Sequence, residues 1–110
     1  MNALVPTQIA LHTKSALLEI SFSDQSHYEL GCEYLRVFSP SAEARVSRSQ
    51  GKLITGKEEV SISRIEPVGQ YAVRLVFDDG HDSGIYSWQT LKDLAENYEE
   101  NWSDYQRQKL

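Results

Sequence analysis

The feature that most constrains the fold is a strict alternation of apolar and polar residues that ends in a turn signal. The alternating apolar residues are Tyr71, Val73, Leu75 and Phe77. A period of two is typical of a strand with one buried face. Asp79 and Gly80 follow at once, and an Asp-Gly pair suits a two-residue type I′ turn, whose two central positions need positive φ. The sequence therefore predicts a central strand and a tight hairpin, with 83–86 as the returning strand.

The same hairpin contains the candidate site. With a two-residue loop, Asp78 faces His81, Phe77 faces Asp82 and Leu75 faces Gly84. A neighbouring carboxylate favours the charged imidazole and fixes its tautomer, which suits hydrogen bonding, metal binding or acid–base chemistry. His81, Asp78 and Asp82 are therefore the candidate metal-site residues. The alternative is that these polar side chains only cap and solvate the end of a hairpin.

The remaining patterns predict an α+β fold. Strand-like alternation recurs at 9–11, 18–22, 28–30 and 60–65, and a short helix is expected from Cys32 to Phe38. The segment 44–57 has few large apolar residues and is predicted to be a surface loop. After the N-cap Ser87, apolar residues every three or four positions predict one long amphipathic helix reaching Tyr105. We expect residues 1–110 to form a single domain, with an antiparallel sheet of short hairpins, one short helix and a long C-terminal helix.

Charge and composition exclude several classes of partner. The net charge is -5, and the 11 Lys and Arg residues are scattered, so nucleic acid is not an expected partner. No apolar run approaches the roughly 18 residues that a membrane span needs. Cys32 is the single cysteine and can form no intramolecular disulfide, and the N-terminus has neither a basic start nor a long apolar run. These features predict a cytoplasmic protein.

The aromatic residues near the C-terminus have two interpretations. Trp102 and Tyr105 share the helical spacing of the core-facing stripe, which favours simple packing. They also lie among charged residues, beyond the length of helix that a small sheet needs to cover its face. A contact with a protein partner or a homodimer is therefore expected at Trp102 and Tyr105 if the stripe extends past the core.

Catalytic motifs are missing from the sequence. It contains neither a G-x-x-x-x-G-K phosphate loop nor a G-x-S-x-G nucleophile motif. Its three histidines do not form the two-histidine, one-carboxylate pattern of an iron oxygenase. We expect no enzymatic activity and no resident cofactor.

Two sequence blocks carry a family resemblance. They are Tyr34-Leu35-Arg36-Val37-Phe38-Ser39-Pro40-Ser41-Ala42-Glu43-Ala44-Arg45, and Ile65-Glu66-Pro67-Val68-Gly69-Gln70-Tyr71-Ala72-Val73 continuing through Phe77 to Ser87. Together they resemble a bacterial stand-alone, DUF971-like domain of unknown function that is similar to the N-terminal domain of γ-butyrobetaine and trimethyllysine hydroxylases. The resemblance spans nearly the whole chain.

The resemblance implies a metal site that this sequence has altered. In the hydroxylases the domain binds a structural zinc through three cysteines that follow the Leu-Arg motif and one histidine. The corresponding positions here are Ser39, Ser41 and Ala44, with His81 as the remaining ligand. Serine hydroxyls are poor zinc ligands beside thiolates, so that zinc site is not expected. Weak binding of zinc or iron at His81 with Asp78 or Asp82 is the metal-binding alternative.

The resemblance also implies an accessory role. In the hydroxylases the domain precedes a 2-oxoglutarate oxygenase domain, and similar domains are attached to P-loop ATPases of the iron–sulfur carrier type. The first hypothesis is therefore a non-catalytic module that docks a protein through Arg36, His81 and the C-terminal helix. The second hypothesis is the weak metal site, and the third is a small hydrolase or isomerase that uses His81 as acid or base.

Overall fold

Two separate three-stranded antiparallel sheets form the body of the chain in a computed structural model, which describes residues 4–51 and 53–109 but not the side chains of residues 43 and 47. The elements are β1 (Pro6–His12), β2 (Leu17–Phe22), β3 (His27–Gly31), α1 (Cys32–Val37), α2 (Ala42–Ser49), β4 (Ile62–Val68), β5 (Ala72–Phe77), β6 (Ile85–Ser87), α3 (Trp88–Glu96) and α4 (Tyr98–Lys109). The strand orders are β1-β2-β3 and β4-β5-β6. The α+β prediction is confirmed, with two sheets in place of one.

The first sheet follows the predicted alternation. Leu18, Ile20 and Phe22 of β2 point to one face and are almost completely buried. Leu18 pairs with Leu30 across β3. The turns before and after β2 contain Ala16 and Gln25 at positive φ. The predicted hairpin strands are therefore present.

The second sheet has the cleanest buried stripe. Val73, Leu75 and Phe77 of β5 are buried, while Arg74 and Val76 between them are partly exposed. Strand β4 is an edge strand of this sheet, which is where the ladder tolerates Pro67. β5 is thus the central strand, as its alternation predicts.

The loop between β5 and β6 differs from the two-residue turn that Asp79-Gly80 predicts. The Phe77 N–H donates to the His81 carbonyl at 2.9 Å, and the Gly80 N–H donates to the Phe77 carbonyl at 3.2 Å. Gly80 has φ +92, whereas Asp79 is not among the positive-φ residues of the described chain. The loop is therefore 78–80, a type I turn completed by a left-handed glycine.

This longer loop changes which residues face each other. Phe77 lies opposite His81, so the predicted pairings of Asp78 with His81 and of Phe77 with Asp82 are wrong. Asp78 instead extends the ladder with β4, because its N–H donates to the Ser61 carbonyl at 2.9 Å and its Oδ1 accepts the Ser61 N–H at 3.0 Å. Further along, the Leu75 N–H donates to the Gly84 carbonyl, as the predicted pairing requires.

The segment predicted as a surface loop contains a helix. The short helix expected from Cys32 is confirmed as α1, and α2 then occupies Ala42–Ser49. Ser41 caps α2, because its Oγ accepts the Ala44 N–H at 3.4 Å and its carbonyl accepts the Arg45 N–H at 3.0 Å. Alanine and arginine are good helix formers even where large apolar residues are missing, which is why the prediction failed.

The predicted long C-terminal helix is divided in two. Ser87 caps α3 as expected, with its Oγ accepting the Thr90 N–H at 3.0 Å. Asn97 is the C-cap of α3, with φ -102 and ψ 18, and its side-chain amide donates to the Asp93 carbonyl in addition to the ordinary backbone bond. Asparagine side chains compete for backbone groups in this way and interrupt helices. α4 begins at the next residue.

One cluster of buried side chains joins both sheets to α1 and α3. Its largest members include Phe22, Leu35, Phe77, Tyr86 and Leu91. No helix within residues 4–51 or 53–109 has the length and apolar character of a membrane span. Residues 1–3, which contributed to the cytoplasmic prediction, lie outside the described part of the chain.

Candidate functional site

A polar cavity of about 330 Å³ lies beside the β5–β6 loop. Its lining residues are Arg36, Asp79, Gly80, His81, Asp82 and Ser83. Gly80, Asp82 and Ser83 are exposed, whereas Arg36 and His81 are exposed by only 8% and 9%. The cavity thus brings together Arg36 from α1 and His81 from the loop, two of the residues proposed for partner binding.

Asp79 links the two sides of this cavity. Its Oδ2 accepts hydrogen bonds from Arg36 Nε and Lys57 Nζ, both at 2.9 Å, and its Oδ1 accepts the backbone N–H of His81 at 3.1 Å. Burial disfavours the charged carboxylate, but the hydrogen bonds from Lys57, His81 and Arg36 outweigh it and lower the Asp79 pKa to about 2. Asp79 is therefore ionised at neutral pH and fixes the Arg36 side chain.

Arg36 keeps an unused donor. Its Nη1 atom is buried and has no hydrogen-bond partner among the described residues. Leaving a buried polar group unpaired costs about 1–3 kcal/mol, and more when the group is charged. Such groups are rare in native proteins and call for a structural or functional explanation.

A second polar network lies behind His81. His81 Nε2 is 2.9 Å from the Oγ of Ser39, and that same Oγ accepts the Ser41 N–H at 3.2 Å. Ser39 is completely buried. A Cβ atom added at Gly84 would lie 2.6 Å from Ser39 Oγ, so the hairpin can approach α1 this closely only because residue 84 has no side chain.

Tyr86 completes the attachment of the hairpin to α1. Its hydroxyl donates to the Leu35 carbonyl at 2.5 Å, and the side chain is fully buried. Burial strongly raises the Tyr86 pKa, so the hydroxyl stays protonated and remains a donor.

The structure also gathers the positions at which the family resemblance implies zinc ligands. Ser39 contacts His81, Ser41 donates its N–H to Ser39, and Ala44 donates its N–H to Ser41. These four positions offer two hydroxyls, a methyl group and an imidazole, which do not fit a tetrahedral zinc site built on thiolates. Cys32 lines a different cavity, and burial raises its thiol pKa.

The three residues predicted as a metal site do not form one cluster. Asp78 uses its Oδ1 for the Ser61 N–H, and Asp82 lies on the exposed rim, where its charge helps to raise the Arg74 pKa. Across the described positions, no group of three or more His, Cys, Asp or Glu side chains could hold a metal ion.

The carboxylate that holds Arg36 is Asp79, which the sequence pattern assigned only to turn geometry. The sequence did contain a signal that the Asp79 side chain makes a hydrogen bond within the loop. In an Asx-turn an aspartate accepts the backbone N–H two residues on, as Asp79 does with His81.

Trp102 and Tyr105 lie apart from the polar cavity. Tyr105 is fully buried and its hydroxyl donates to Glu33 Oε2 at 2.6 Å, while burial and then the Glu33 charge raise its pKa. It packs inside the protein and offers a partner no surface. Trp102 is partly buried, stacks on Tyr98 with centroids 5.8 Å apart, and lines the cavity that contains Cys32.

Comparisons with known proteins agree on the family. The model of the family described as gamma-butyrobetaine hydroxylase-like, N-terminal, matches residues 9–92. This range includes the whole polar cavity but not Trp102 or Tyr105. No curated protein matches the chain.

Several solved structures are similar to this chain. One is a protein of unknown function of the DUF971 family from Acidithiobacillus ferrooxidans, with 37% identity and a TM-score of 0.71 over 82% of this chain and 91% of the other. Two solution NMR structures cover 96% of this chain. The first is 47% identical with a TM-score of 0.80 and 80% of its own chain covered, and the second is 40% identical with 0.78 and 84%.

Proposed function

The chain belongs to the gamma-butyrobetaine hydroxylase-like N-terminal family, and from that premise we propose that it is a non-catalytic accessory module that binds a partner protein at the polar cavity. The observation that carries the proposal is the state of Arg36. Its guanidinium group is buried and held by Asp79, it borders a cavity with an exposed rim, and its Nη1 has no partner in the described structure. A partner that supplied an acceptor would remove this cost.

The hydrogen bond between Ser39 and His81 needs separate treatment, because serine beside histidine is also the arrangement of a catalytic nucleophile and its base. Ser39 is 0% exposed, and its Oγ already accepts the Ser41 N–H. A substrate carbon cannot reach that oxygen without displacing the hairpin. The burial of Ser39 therefore supports a structural role for this pair and a binding role for the cavity.

Cys32 is likewise buried and unsuited to act as a nucleophile. It is 1% exposed, and burial raises its thiol pKa, which disfavours the nucleophilic thiolate. A small enzyme that used His81 or Cys32 therefore has less support from the geometry than a binding module.

The partner classes follow from the family context. Related domains occur with 2-oxoglutarate oxygenase domains and with iron–sulfur carrier ATPases, so these two classes of protein are the partners we propose. In both cases the module would contribute attachment, while the chemistry would belong to the partner.

Binding measurements with matched variants test the proposal. Purified oxygenases and iron–sulfur carriers from the same genome would be titrated by calorimetry into the wild-type protein, Arg36→Gln and Arg64→Gln. Each variant removes one positive charge, but Arg64 is an exposed residue paired with Glu66 and does not line the cavity. We expect at least tenfold weaker binding for Arg36→Gln and unchanged binding for Arg64→Gln. Equal affinities for all three proteins, or no binding at all, would overturn the proposal.

A further inference from the structure

The charges around the cavity do not balance locally. Arg36 and Lys57 both donate to one carboxylate oxygen of Asp79, so two cations share one anion. Asp82 on the rim interacts with Arg74, which lies outside the cavity lining. Arg36, Lys57 and Asp79 together carry one positive charge, and the exposed Asp82 on the rim carries one negative charge. Close to the Arg36 side chain the positive charges are in excess, which favours an anionic group at short range.

The donor geometry of Arg36 defines which anion fits. A guanidinium group has five N–H donors in a planar fork, and Asp79 occupies the Nε side. Nη1 has no partner among the residues the structure describes. Carboxylate oxygens match this fork, because two parallel N–H···O bonds can form in one plane.

We propose that the cavity binds a carboxylate group of a partner protein and that Arg36 is the residue that receives it. The inference rests on the proposed function only for the source of the carboxylate. Arg36 is already removed from water and held in place by Asp79, so a carboxylate that enters the cavity pays little additional cost for ordering this side chain. The exposed residues Gly80, Asp82 and Ser83 form the rim over which the partner segment passes.

A phosphate group fits the same cavity less well. Asp79 lies directly beside Arg36, and Asp82 is on the rim, so a doubly charged ligand faces two carboxylates. A carboxylate carries one negative charge and is therefore repelled less by Asp79 and Asp82 than a phosphate dianion is. Carboxylate is thus the chemistry that the charges favour.

The test is a titration followed by NMR. The probes are N-acetylglycine, which mimics a chain terminus, and N-acetyl-aspartic acid amide, which mimics an acidic side chain. Inorganic phosphate and sodium chloride are added at equal ionic strength for comparison. The signals to follow are the backbone amides of Gly80 to Ser83 and the Nε–H of Arg36. We expect saturable shifts with at least one carboxylate probe, and the stronger of the two identifies which kind of protein carboxylate is recognised.

Variants separate recognition from folding. Arg36→Lys keeps a cation for Asp79 but lacks the planar fork, and we expect it to fold and to bind the carboxylate probe at least tenfold more weakly. Arg64→Gln should bind like the wild type. Shifts that sodium chloride reproduces, tighter binding of phosphate, or unchanged binding by Arg36→Lys would each overturn the inference.

The outcome also separates the two proposals. Saturable carboxylate binding together with partner affinity that does not depend on Arg36 would retain the carboxylate site and remove the proposed docking role. Partner binding that depends on Arg36, without binding of the carboxylate probes, would retain the docking role and remove the carboxylate site.

Discussion

The Oγ of Ser39 lies 2.9 Å from Nε2 of His81, although the two residues are 42 positions apart in the sequence. The contact joins the end of α1 to the β5–β6 loop inside the protein, where water cannot replace it. The hydrogen bond from Arg36 to Asp79 also joins α1 to the β5–β6 loop, and it lies closer to the protein surface.

Ser39→Ala should destabilise the fold by about 1–3 kcal/mol, because it removes a buried hydroxyl from His81 and from the Ser41 N–H. Urea unfolding measures the change in the free energy of unfolding. Ser49→Ala is the matched control, since the Ser49 hydroxyl makes one exposed hydrogen bond, to the Val46 carbonyl. A loss no larger in Ser39→Ala than in Ser49→Ala would contradict the structural role of the network.

Asp79→Asn should destabilise the protein by about 3 kcal/mol at pH 7, because it leaves the buried Arg36 without its counter-charge. Glu66→Gln also breaks arginine pairs, with Arg64 and Arg74, but these lie on the exposed face of the second sheet, where ion pairs contribute little. Chemical denaturation of the two variants should rank Asp79→Asn well below Glu66→Gln in stability. The reverse order would show that the Arg36 pair is not stabilising.

The contribution of Asp79 should disappear in acid. Its pKa of about 2 in the folded protein lies below the ordinary value of 3.8, since Lys57, His81 and Arg36 stabilise the charged form despite burial. Stability from this group is therefore present above about pH 4 and is lost as the pH falls through 3.8 towards 2.

The measurement is the difference in unfolding free energy between the wild-type protein and Asp79→Asn from pH 7 to pH 2. Taking the difference removes the contributions of the exposed carboxylates common to both proteins. We expect it to be constant above pH 4 and to narrow below it. If the difference in unfolding free energy between the two proteins increased on acidification, the prediction would be wrong.

Gly84→Ala should cost about 1–3 kcal/mol, because the new Cβ would lie 2.6 Å from Ser39 Oγ and 3.0 Å from a ring carbon of Tyr86. Gly31→Ala is a suitable control, since no atom lies within 4 Å of its Cβ position and its φ is not positive. Thermal unfolding of both variants checks the prediction, which fails if the two substitutions have equal effects.

The triple variant Ser39→Cys, Ser41→Cys, Ala44→Cys should acquire a zinc site with His81. Ser39 contacts the imidazole, and hydrogen bonds link Ser41 to Ser39 and Ala44 to Ser41, so the three positions are close neighbours in space. Thiolates at these positions would supply the missing ligands. Elemental analysis of the purified variant should give one zinc per chain. The same triple variant with His81→Ala is the control and should retain less metal, and a folded triple variant without zinc would refute the prediction.

Much of the fold could be predicted from the sequence, because alternating apolar and polar residues that are bounded by turn residues indicate a β-strand. The failures have specific causes. An Asp-Gly pair satisfies both a type I′ turn and a three-residue loop ending in a left-handed glycine, so the loop length of the β5–β6 hairpin was ambiguous. Helix α2 contains no large apolar stripe, and its start depends on the Ser41 cap. The break at Asn97 depends on side-chain competition for a single carbonyl.

The candidate site was only partly predictable for a different reason. Arg36 and His81 were identified as candidates, but Asp79 was not, because its importance comes from a residue 43 positions away. For Tyr105 the helical spacing allowed either core packing or a partner contact past the core. The division at Asn97 and the contact with Glu33 place it inside the protein instead. Pairings between distant segments cannot be derived from local periodicity.

The division of the strands into two consecutive sheets has a consequence for the order of folding. Each sheet is made from one continuous segment, 6–31 or 62–87, and closes only short loops. The contacts of Arg36 with Asp79, Ser39 with His81 and Leu35 with Tyr86 close loops of 42 to 51 residues, which carry a larger entropic cost. We expect the hairpins to form early and the cavity to assemble only when the two halves dock. A chain whose two sheets have formed but not yet docked would therefore still lack the binding cavity.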